Sequence, residues 1–587
     1  MQPVDFTTLS AACSEISAEW IPARIEQVYQ RDRYTILLGL RTLKQRGWLE
    51  ICWHSQAAHL CIGDPPPRTP DTFTFSQQLI HQLNGLALVS CAGVTAWERV
   101  VDLQFARRPG EPALWHLYVE VMGKYSNVIL TDSANQIITA AHQVSSTQSS
   151  VRPIQTGQPY ELPPALTSAI PSLSESQARW QERVSLVPGA LKRCLLKNYR
   201  GLSPNLVQSM VKVAGLEPEQ STDTLTATDW QQLFSRWQEW LQVLDKSQFH
   251  PGWTEDGYTL LGWNLIKQAL NVQDLLNQYY TSQLNRQEFS QLRHQLSQKL
   301  NNILEKLRLR VRTFEERLQQ SALADNYRQQ ADLLMAHLQE WQPGMKSITL
   351  SDFDSGNPVA IALDPEKNAI QNAQNIYKRA GKLKRARSAV EPLIAEVQPE
   401  IQYLEQVEDA ITALSFINEL SDRNQTPENL EALKEIREEL IGQGYMEELE
   451  YGRRSPNAPS NTNFLRYLTP SRFELLIGRN NRQNDQLTFR QAGDYDLWFH
   501  AQEIPGSHVL MRVEPGAVAD EADLQFAADL AAYYSRSRQS DSVPVVYTEP
   551  KHVYKPKGAK PGIALYKHER IIWGNPQQGK QYLLASG

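Results

Sequence analysis

A short segment near the carboxyl end, KHVYKPKGAKPG, has the clearest chemical pattern in the sequence. Its lysines are separated by Pro and Gly residues, which keep the backbone extended and let the ammonium groups follow a row of phosphates. Phosphate binding is therefore the chemistry that this spacing favours. The candidate contacts are Lys551, Lys555, Lys557 and Lys560.

Two polar segments upstream, GRNNRQND and DLWFHAQEIPGSHV, belong to the same part of the chain. Their aromatic rings can stack on unpaired bases, with ordinary packing in a strand as the alternative. Ser507 beside His508 is not read as a nucleophile and its base, because neighbouring side chains on a strand point to opposite faces and no GxSxG turn surrounds Ser507. These segments add Arg479, Asn480, Asn481, Trp498, His500 and His508 to the predicted RNA-binding residues.

The net charge of −6 over 587 residues is unusual for an RNA-binding protein. Salt screens exposed charges beyond about 8 Å, so local patches matter more than the total. A second basic patch consists of Lys378, Arg379, Lys382, Lys384, Arg385 and Arg387.

Composition excludes several classes of protein. Five cysteines without a CxxC pair indicate buried thiols, so neither a metal site nor a cofactor is predicted. No apolar run approaches the roughly 20 residues of a membrane helix, and the amino terminus lacks an export signal. We expect a cytoplasmic protein without membrane contact.

The length exceeds what one hydrophobic core supports, and we predict a multidomain α+β protein. Short strands and turns indicate a mixed α/β domain over residues 1–175, followed by a helical domain over 176–282. Long helices span 283–450, a polar linker covers 451–463, and an α+β domain occupies 464–587.

The helical domain contains a strong start signal, with Ser203 as N-cap and Pro204 at the first helical position. Two short helices joined by a tight turn are predicted here. Such a pair can offer backbone N–H groups to a phosphate, or it can simply pack as a small bundle.

Apolar residues recur at three- and four-residue steps over positions 292–318 and again over 397–414. This periodicity predicts an antiparallel coiled-coil hairpin whose first arm is about 60 Å long at 1.5 Å per residue. The intervening MKSITLSDFDSGNPVAIALDP predicts two short strands and a small tip domain. The hairpin serves either to reach a distant contact or to form a dimer. Pro392 and Pro399 should kink or interrupt the second arm.

The ordered set GRNNRQND, DLWFHAQEIPGSHV, AADLAAYYSRSR and KPKGAKPG closely resembles the carboxy-terminal RNA-binding domain, NFACT-R, of the NFACT family of ribosome quality control factors. VEVMGKYSNVILTD is similar to a segment of the family's amino-terminal domain, NFACT-N, and GLSPNLVQSMVKVAGL to its helix-hairpin-helix. YRQQADLLMAHL and ALDPEKNAIQNAQNIYKRAGKLKRA look like its coiled-coil and middle domain. The resemblance extends over the whole chain.

The resemblance implies a function that the residues alone do not give. Family members bind large ribosomal subunits obstructed by peptidyl-tRNA, recruit charged tRNA, and promote template-free addition of residues, chiefly alanine in bacteria. The implied partners are the large subunit, ribosomal RNA, tRNA (the alanine tRNA in particular) and the stalled nascent chain. The ribosome makes the peptide bond, so the chain itself is not expected to be an enzyme.

Two sites for tRNA binding and tailing carry over from the family. Its Asp-Arg pair matches Glu98 and Arg99, where the acid is longer by one C–C bond, about 1.5 Å. Arg99 can make bidentate contacts with phosphate, and a surface ion pair is the alternative. The second site is Met122, Gly123, Lys124, Tyr125, Ser126 and Asn127.

The sequence gives weaker support to two other classes of protein. The family's front half resembles formamidopyrimidine-type DNA glycosylases in fold, but those enzymes use an amino-terminal proline, and here Pro3 follows Met1 and Gln2. An extracellular adhesin is suggested by the fibronectin-binding label of some relatives. The missing export signal and wall anchor speak against it.

Overall fold

The computed structural model describes residues 1–67, 70–149, 151–164, 167–353, 355–420, 426–447 and 464–586. The chain divides into two compact units, Met1–Leu284 and Asn285–Gly587. It is a multidomain α+β protein with antiparallel sheets and one helix of 65 residues, which confirms the predicted fold class in outline. The predicted polar linker, 451–463, lies outside the described residues.

A nine-stranded sheet dominates the first part of the chain. Its order is β4-β3-β2-β1-β5-β6-β7-β8-β9, and the paired strands are antiparallel. The elements are α1 (Phe6–Glu19), β1 (Ala23–Asp32), β2 (Thr35–Arg41), β3 (Arg46–Cys52), β4 (His59–Gly63), α2 (Thr74–Leu83), β5 (Ala87–Gly93), β6 (Val100–Ala106), β7 (Trp115–Glu120), β8 (Asn127–Asp132) and β9 (Ile137–Ala140).

Helix α1 covers the sheet and starts at an acidic cap. Asp5 is the N-cap, and its carboxylate accepts a hydrogen bond from the Thr8 backbone N–H at 2.8 Å, which satisfies a donor that the helix leaves free. Leu9, Ala12 and Ile16 recur at helical spacing and are buried in the core that the sheet shares.

The helical part that follows consists of α3 (Gln177–Ser185), α4 (Leu191–Asn198), α5 (Pro204–Val213) and α6 (Ala227–Lys246). Ser203 caps α5 with Pro204 at its first position, as predicted. Trp180, Trp237 and Trp240 are fully buried and form the centre of a separate core. Short strands β10 (Gly252–Trp253), β11 (Tyr258–Thr259) and β12 (Lys267–Gln268) precede the long helix α7 (Val272–Ala336).

The second unit begins with the rest of α7 and its helical partner. The elements after α7 are β13 (Ser347–Ser351), β14 (Pro358–Ala362), α8 (Ala369–Leu420) and α9 (Thr426–Gly442). Leu296 and Leu300 of α7 share a core with Leu404 of α8. The contacts run in opposite directions along the two helices, because Arg293 bonds to Ser415 whereas Arg308 bonds to Glu405.

Of the two predicted effects of the prolines, a kink or an interruption of the second arm, the interruption is wrong. Helix α8 continues through both Pro392 and Pro399. The two residues are exposed and seven positions apart, on one solvent-facing side of the helix. Water can therefore bind the carbonyl groups that lose their backbone donor.

The carboxy-terminal part is a six-stranded antiparallel sheet in the order β15-β16-β18-β17-β19-β22. Its elements are β15 (Leu465–Leu468), β16 (Glu474–Ile477), α10 (Asn481–Gln486), β17 (Leu497–Ala501), β18 (Val509–Met511), α11 (Glu521–Tyr533), β19 (Val543–Thr548), β20 (Val553–Tyr554), β21 (Leu565–Tyr566), β22 (Arg570–Gly574) and α12 (Pro576–Ser586). Helix α11 shares a core with one sheet face, and Trp498, Leu510 and Val546 form a second core on the other. Among the described residues, no helix is both long enough and apolar enough to cross a membrane.

A buried ionic network stabilises the hairpin of β3 and β4. Glu50 accepts two hydrogen bonds from the Arg31 guanidinium, at 3.1 and 2.7 Å, and lies 3.4 Å from His59 Nε2. Burial raises the pKa of Glu50, but the hydrogen bond and charge of His59, together with Arg31, outweigh it and hold the pKa at about 2. Burial lowers the pKa of His59, but hydrogen bonds with Cys52, Cys61 and Glu50 raise it well above its ordinary value.

Replacing His59 with Gln removes the buried positive charge and leaves Glu50 with a weaker partner. We expect the variant to be less stable than the wild type by roughly 2 kcal/mol at pH 6, because the buried carboxylate loses one charged hydrogen-bond partner and keeps Arg31. The stabilisation by His59 is complete below its ordinary pKa of 6.5 and is lost as the pH rises through the raised pKa. The stabilisation by the Glu50 carboxylate is present above pH 4.5, the ordinary pKa of this group, and is lost as the pH falls towards 2.

Urea-induced unfolding of the full chain between pH 5 and pH 9 measures this difference. The gap between the wild type and His59→Gln should narrow towards the alkaline end. A gap of constant size across that range would show that folding does not raise the pKa of His59.

Candidate nucleic-acid interface

The loop between β5 and β6 carries Glu98 and Arg99, which the sequence predicts to handle tRNA. Trp97 fixes this loop in a left-handed conformation, with φ of 67°, and its ring lies 4.7 Å from Phe6 and 5.4 Å from Trp240. A positive φ is costly for a bulky residue, so these ring contacts must hold the loop in place.

Glu98 and Arg99 each have a different partner. The Glu98 carboxylate lies 3.5 Å from the Arg200 guanidinium, and Arg99 Nη1 donates to the Val4 carbonyl at 3.4 Å. Both side chains are half-buried. Arg99 therefore has hydrogen-bonding capacity left, since one guanidinium carries five donors.

The second predicted segment, residues 122–127, is next to this loop. The Val121 backbone N–H donates to the Arg99 carbonyl at 2.9 Å, because β6 begins where β7 ends. Gly123 has a φ of 58°, which favours glycine. The structure thus brings the two candidate tRNA sites together at one end of two neighbouring strands.

The members of the second segment divide into buried and exposed residues. Ser126 and Asn127 are buried: Ser126 Oγ accepts from the Met122 N–H at 2.9 Å, and Asn127 donates to the His142 carbonyl at 2.7 Å. Lys124 and Tyr125 are exposed, with the Lys124 ammonium 4.8 Å from the Tyr125 ring centre. Met122 and Gly123 are half-buried, so Lys124 and Tyr125 are the members of the segment most available to a ligand.

In the carboxy-terminal part, Arg479, Asn480 and Asn481 are buried against α9. The Arg479 guanidinium donates to Asn429 Oδ1 at 2.6 Å and to the Glu428 carboxylate. Asn480 Nδ2 donates to a Glu435 carboxylate oxygen at 2.7 Å, and Asn481 Nδ2 donates to Glu439 at 3.4 Å. The contacts of these three side chains join α10 and the preceding turn to α9.

Trp498, His500 and His508 lie together on one face of the sheet. Trp498 Nε1 donates to Thr488 Oγ1 at 3.0 Å, and the same hydroxyl lies 2.6 Å from His508 Nδ1. Burial lowers the pKa of His500 to about 4, and burial together with His500 holds the pKa of His508 well below its ordinary value. Both imidazoles are therefore neutral near pH 7, so they offer no charge to a phosphate.

The four lysines of the KHVYKPKGAKPG segment fall into two groups. Lys551 and Lys557 are exposed, and Lys551 pairs with Glu549 at the surface. Tyr554 is 44% exposed, with the Lys567 ammonium 5.5 Å from its ring centre. We call Lys551, Tyr554, Lys557 and Lys567 the exposed basic face.

Lys555 and Lys560 are bound to other parts of the protein. The Lys555 ammonium forms an ion pair with Asp485, and Lys560 donates to Gln443 and to Tyr445, at 3.0 and 3.1 Å.

Several residues of these sites escaped the sequence interpretation. Arg200 is 102 positions away from Glu98, and nothing in either local sequence links the two. Lys567 lies seven positions after Lys560 in the same lysine-rich stretch of sequence, which was the available signal. Tyr445 gave no signal, because its role depends on the folded position of α9.

Comparison with known proteins agrees with this architecture. Residues 5–458 match the family described as NFACT N-terminal and middle domains, and residues 463–567 match the NFACT protein RNA binding domain. The chain is thus a multidomain protein with an RNA-binding domain in its carboxy-terminal part. It belongs to the NFACT family, which confirms the resemblance seen in the sequence.

Similar proteins extend over nearly the whole chain. One is the "Rqc2 homolog RqcH" of Bacillus subtilis, 28% identical over 578 residues that cover 96% of each chain. Another, with the same name, is from Streptococcus suis and is 29% identical over 584 residues, 97% of each chain.

Two solved structures of the Streptococcus suis fibronectin/fibrinogen-binding protein are also similar. Its C-terminal part is 30% identical, with a TM-score of 0.36, covering 50% of this chain and 97% of that one. Its N-terminal part is 22% identical, with a TM-score of 0.39, covering 47% and 98%.

Proposed function

We propose that this protein is a ribosome quality control factor that binds RNA on obstructed large ribosomal subunits. It recruits tRNA, specifically the alanine tRNA, for template-free extension of a stalled nascent chain. The observation that carries the proposal is family membership along the whole chain, including an RNA-binding domain, with relatives named "Rqc2 homolog RqcH". The peptide bond is made by the ribosome, and the protein supplies binding and orientation.

In this proposal the chain has four domains, each with its own task. Residues 1–175 form the NFACT-N domain that holds tRNA, and 176–282 form the helix-hairpin-helix domain that supports it. Residues 283–450 form the coiled-coil and middle domain, which reaches along the subunit. Residues 464–587 form the NFACT-R domain, which binds ribosomal RNA.

The tRNA contact is assigned to the shared end of β6 and β7. Arg99 has free donors for a phosphate, Lys124 adds positive charge, and Tyr125, 71% exposed, offers a ring for stacking on an unpaired base. Glu98 orients Arg200 through their ion pair. Ser126 and Asn127 serve by shaping the turn that presents Lys124.

The ribosomal RNA contact is assigned to the exposed basic face. The Lys567 ammonium lies 5.5 Å from the Tyr554 ring centre, and Lys551 and Lys557 are each three positions from Tyr554 in the sequence. Phosphate binding and base stacking are therefore assigned to one surface. The buried residues Arg479, Asn480, Asn481, Trp498 and His508, and the half-buried His500, support this surface and do not meet RNA directly.

Crosslinking of the full chain in cells, followed by sequencing of the attached RNA, tests the proposal. We expect ribosomal RNA of the large subunit and tRNA to be recovered, with alanine tRNA enriched. Recovery of neither RNA would contradict the proposed function.

The division of labour predicts separate effects of substitutions in the two RNA-binding domains. Arg99→Ala should lower alanine tailing by roughly tenfold, because a charged phosphate contact is lost, while association with the large subunit stays near the wild-type level. Tailing and co-sedimentation with subunits, measured on the same preparations, check this. Arg108→Ala is the matched control, since Arg108 is exposed beyond the opposite end of β6. An equal loss of tailing and association in Arg99→Ala would show that one surface serves both.

A further inference from the structure

The segment 555–562, which we call the basic loop, is fixed at several points to α8, to α10 and to the turn that follows α9. At one end, Lys555 forms an ion pair with Asp485 of α10. At the other end, the Gly562 backbone N–H donates to the same carboxylate at 3.0 Å. One acid therefore closes the loop.

Gly562 also fits tightly against α10. Its φ is 79°, and a Cβ at this position would lie 2.4 Å from Asn481 Oδ1. That separation is far below a van der Waals contact, so a side chain here would displace the loop from α10. Asn481 is thus part of the surface on which the loop rests.

The third point is Lys560, whose ammonium lies against two aromatic rings. It is 4.8 Å from the ring centre of Tyr445 and 5.1 Å from that of Tyr403. It also donates to Gln443 Oε1 at 3.0 Å and to the Tyr445 hydroxyl at 3.1 Å. Both rings attract the cation through their π faces.

The hydroxyl group of each ring donates a hydrogen bond to a carboxylate. Tyr403 is fully buried and its hydroxyl donates to Glu439 at 2.7 Å, while the Tyr445 hydroxyl donates to Glu400 at 3.0 Å. Donation to a carboxylate makes each phenol richer in electrons, which strengthens its interaction with an ammonium. Tyr403 and Tyr445 therefore form a cage for Lys560.

Lys557 lies between these anchors and is exposed. Gly558 beside it has a φ of 79°, and Pro556 fixes the backbone on the other side. Lys555 is exposed as well, but its ammonium is paired with Asp485. The anchors thus hold the exposed Lys557 in a defined position.

We propose that Lys560 is a positioning residue, whose ammonium in the cage of Tyr403 and Tyr445 fixes the basic loop so that Lys557 meets an RNA phosphate. Lys560 itself contacts no RNA. The inference rests on the proposed function of the exposed basic face, and it reverses the sequence prediction that all four lysines of the segment bind phosphate.

The salt dependence of binding to purified large ribosomal subunits separates anchor from contact. Each phosphate contact adds about one to the slope of log affinity against log salt concentration. Lys557→Met should lower the slope by about one. The double variant Lys557→Met, Lys560→Met should also lower it by about one in total, because only Lys557 meets a phosphate. A fall of about two would overturn the proposal.

Substitution of the buried Tyr403 ring gives a second test, in which its effect on subunit binding is compared with that of Lys560→Met. Tyr403→Leu and Lys560→Met should each weaken binding by about tenfold, because a loosened loop must be ordered on binding, and combining them should add little. Lys580→Met, an exposed lysine in α12, is the matched control and should bind like the wild type. If Tyr403→Leu bound large subunits as tightly as the wild type, the proposed role of the Tyr403 ring in holding Lys560 would be wrong.

Hydrogen exchange in the protein without RNA tests the anchor independently of the proposed function. Lys560→Met should speed exchange of the Gly562 amide, whereas Lys557→Met should leave it unchanged. If the Gly562 amide exchanged at the same rate in Lys560→Met as in the wild type, Lys560 would not anchor the basic loop. This holds even if the variant binds subunits. Failure of the wild type to bind subunits would instead contradict the proposed function, and the anchor would then be decided by exchange alone.

Discussion

A cation that leaves water needs a partner of opposite charge or an electron-rich ring, and this constraint divides the basic residues of the protein into two kinds. Arg31 and Arg479 have carboxylates in buried or half-buried surroundings, and Lys560 has two rings. These side chains join elements of the fold. Lys124 and Lys557 are exposed and remain available to a ligand.

The same constraint explains how a chain with a net charge of −6 can bind RNA. Each ion pair, such as Glu50 with Arg31 or Asp485 with Lys555, removes one anion and one cation together and leaves the net charge unchanged. The total charge therefore says little about the charge that a phosphate meets. Because salt screens exposed charges beyond about 8 Å, an RNA strand responds to the few cations at the contact surface.

Sequence interpretation recovered the outline of this molecule because its signals are local. The family motifs and the cap at Ser203 are each encoded within a few turns of chain. The periodicity predicted a long helix as well, but the 65 residues of α7 exceed the predicted arm of about 60 Å at 1.5 Å per residue. The interruption of the helix at Pro392 was predicted wrongly. A proline is tolerated there because its side of the helix faces solvent, and the proline itself does not reveal which side that is.

What the sequence could not show is which basic residues are already paired. Lys560 lies 115 positions from Tyr445, so its cage exists only after folding. Arg479 is 50 positions from Asn429, and the motif GRNN looks equally polar whether it faces solvent or a helix. The basic and polar residues were therefore visible in the sequence, whereas their division into paired and unpaired side chains required the structure.

Acetylation of lysines in the full chain, with and without large ribosomal subunits, tests this division most directly. Mass spectrometry reports the reactivity of each lysine in the two states. We expect Lys551, Lys557 and Lys567 to lose reactivity when subunits are bound, and Lys560 to react slowly in both states. Equal reactivity of Lys557 with and without subunits, or protection that appears at Lys560 only upon binding, would contradict the account.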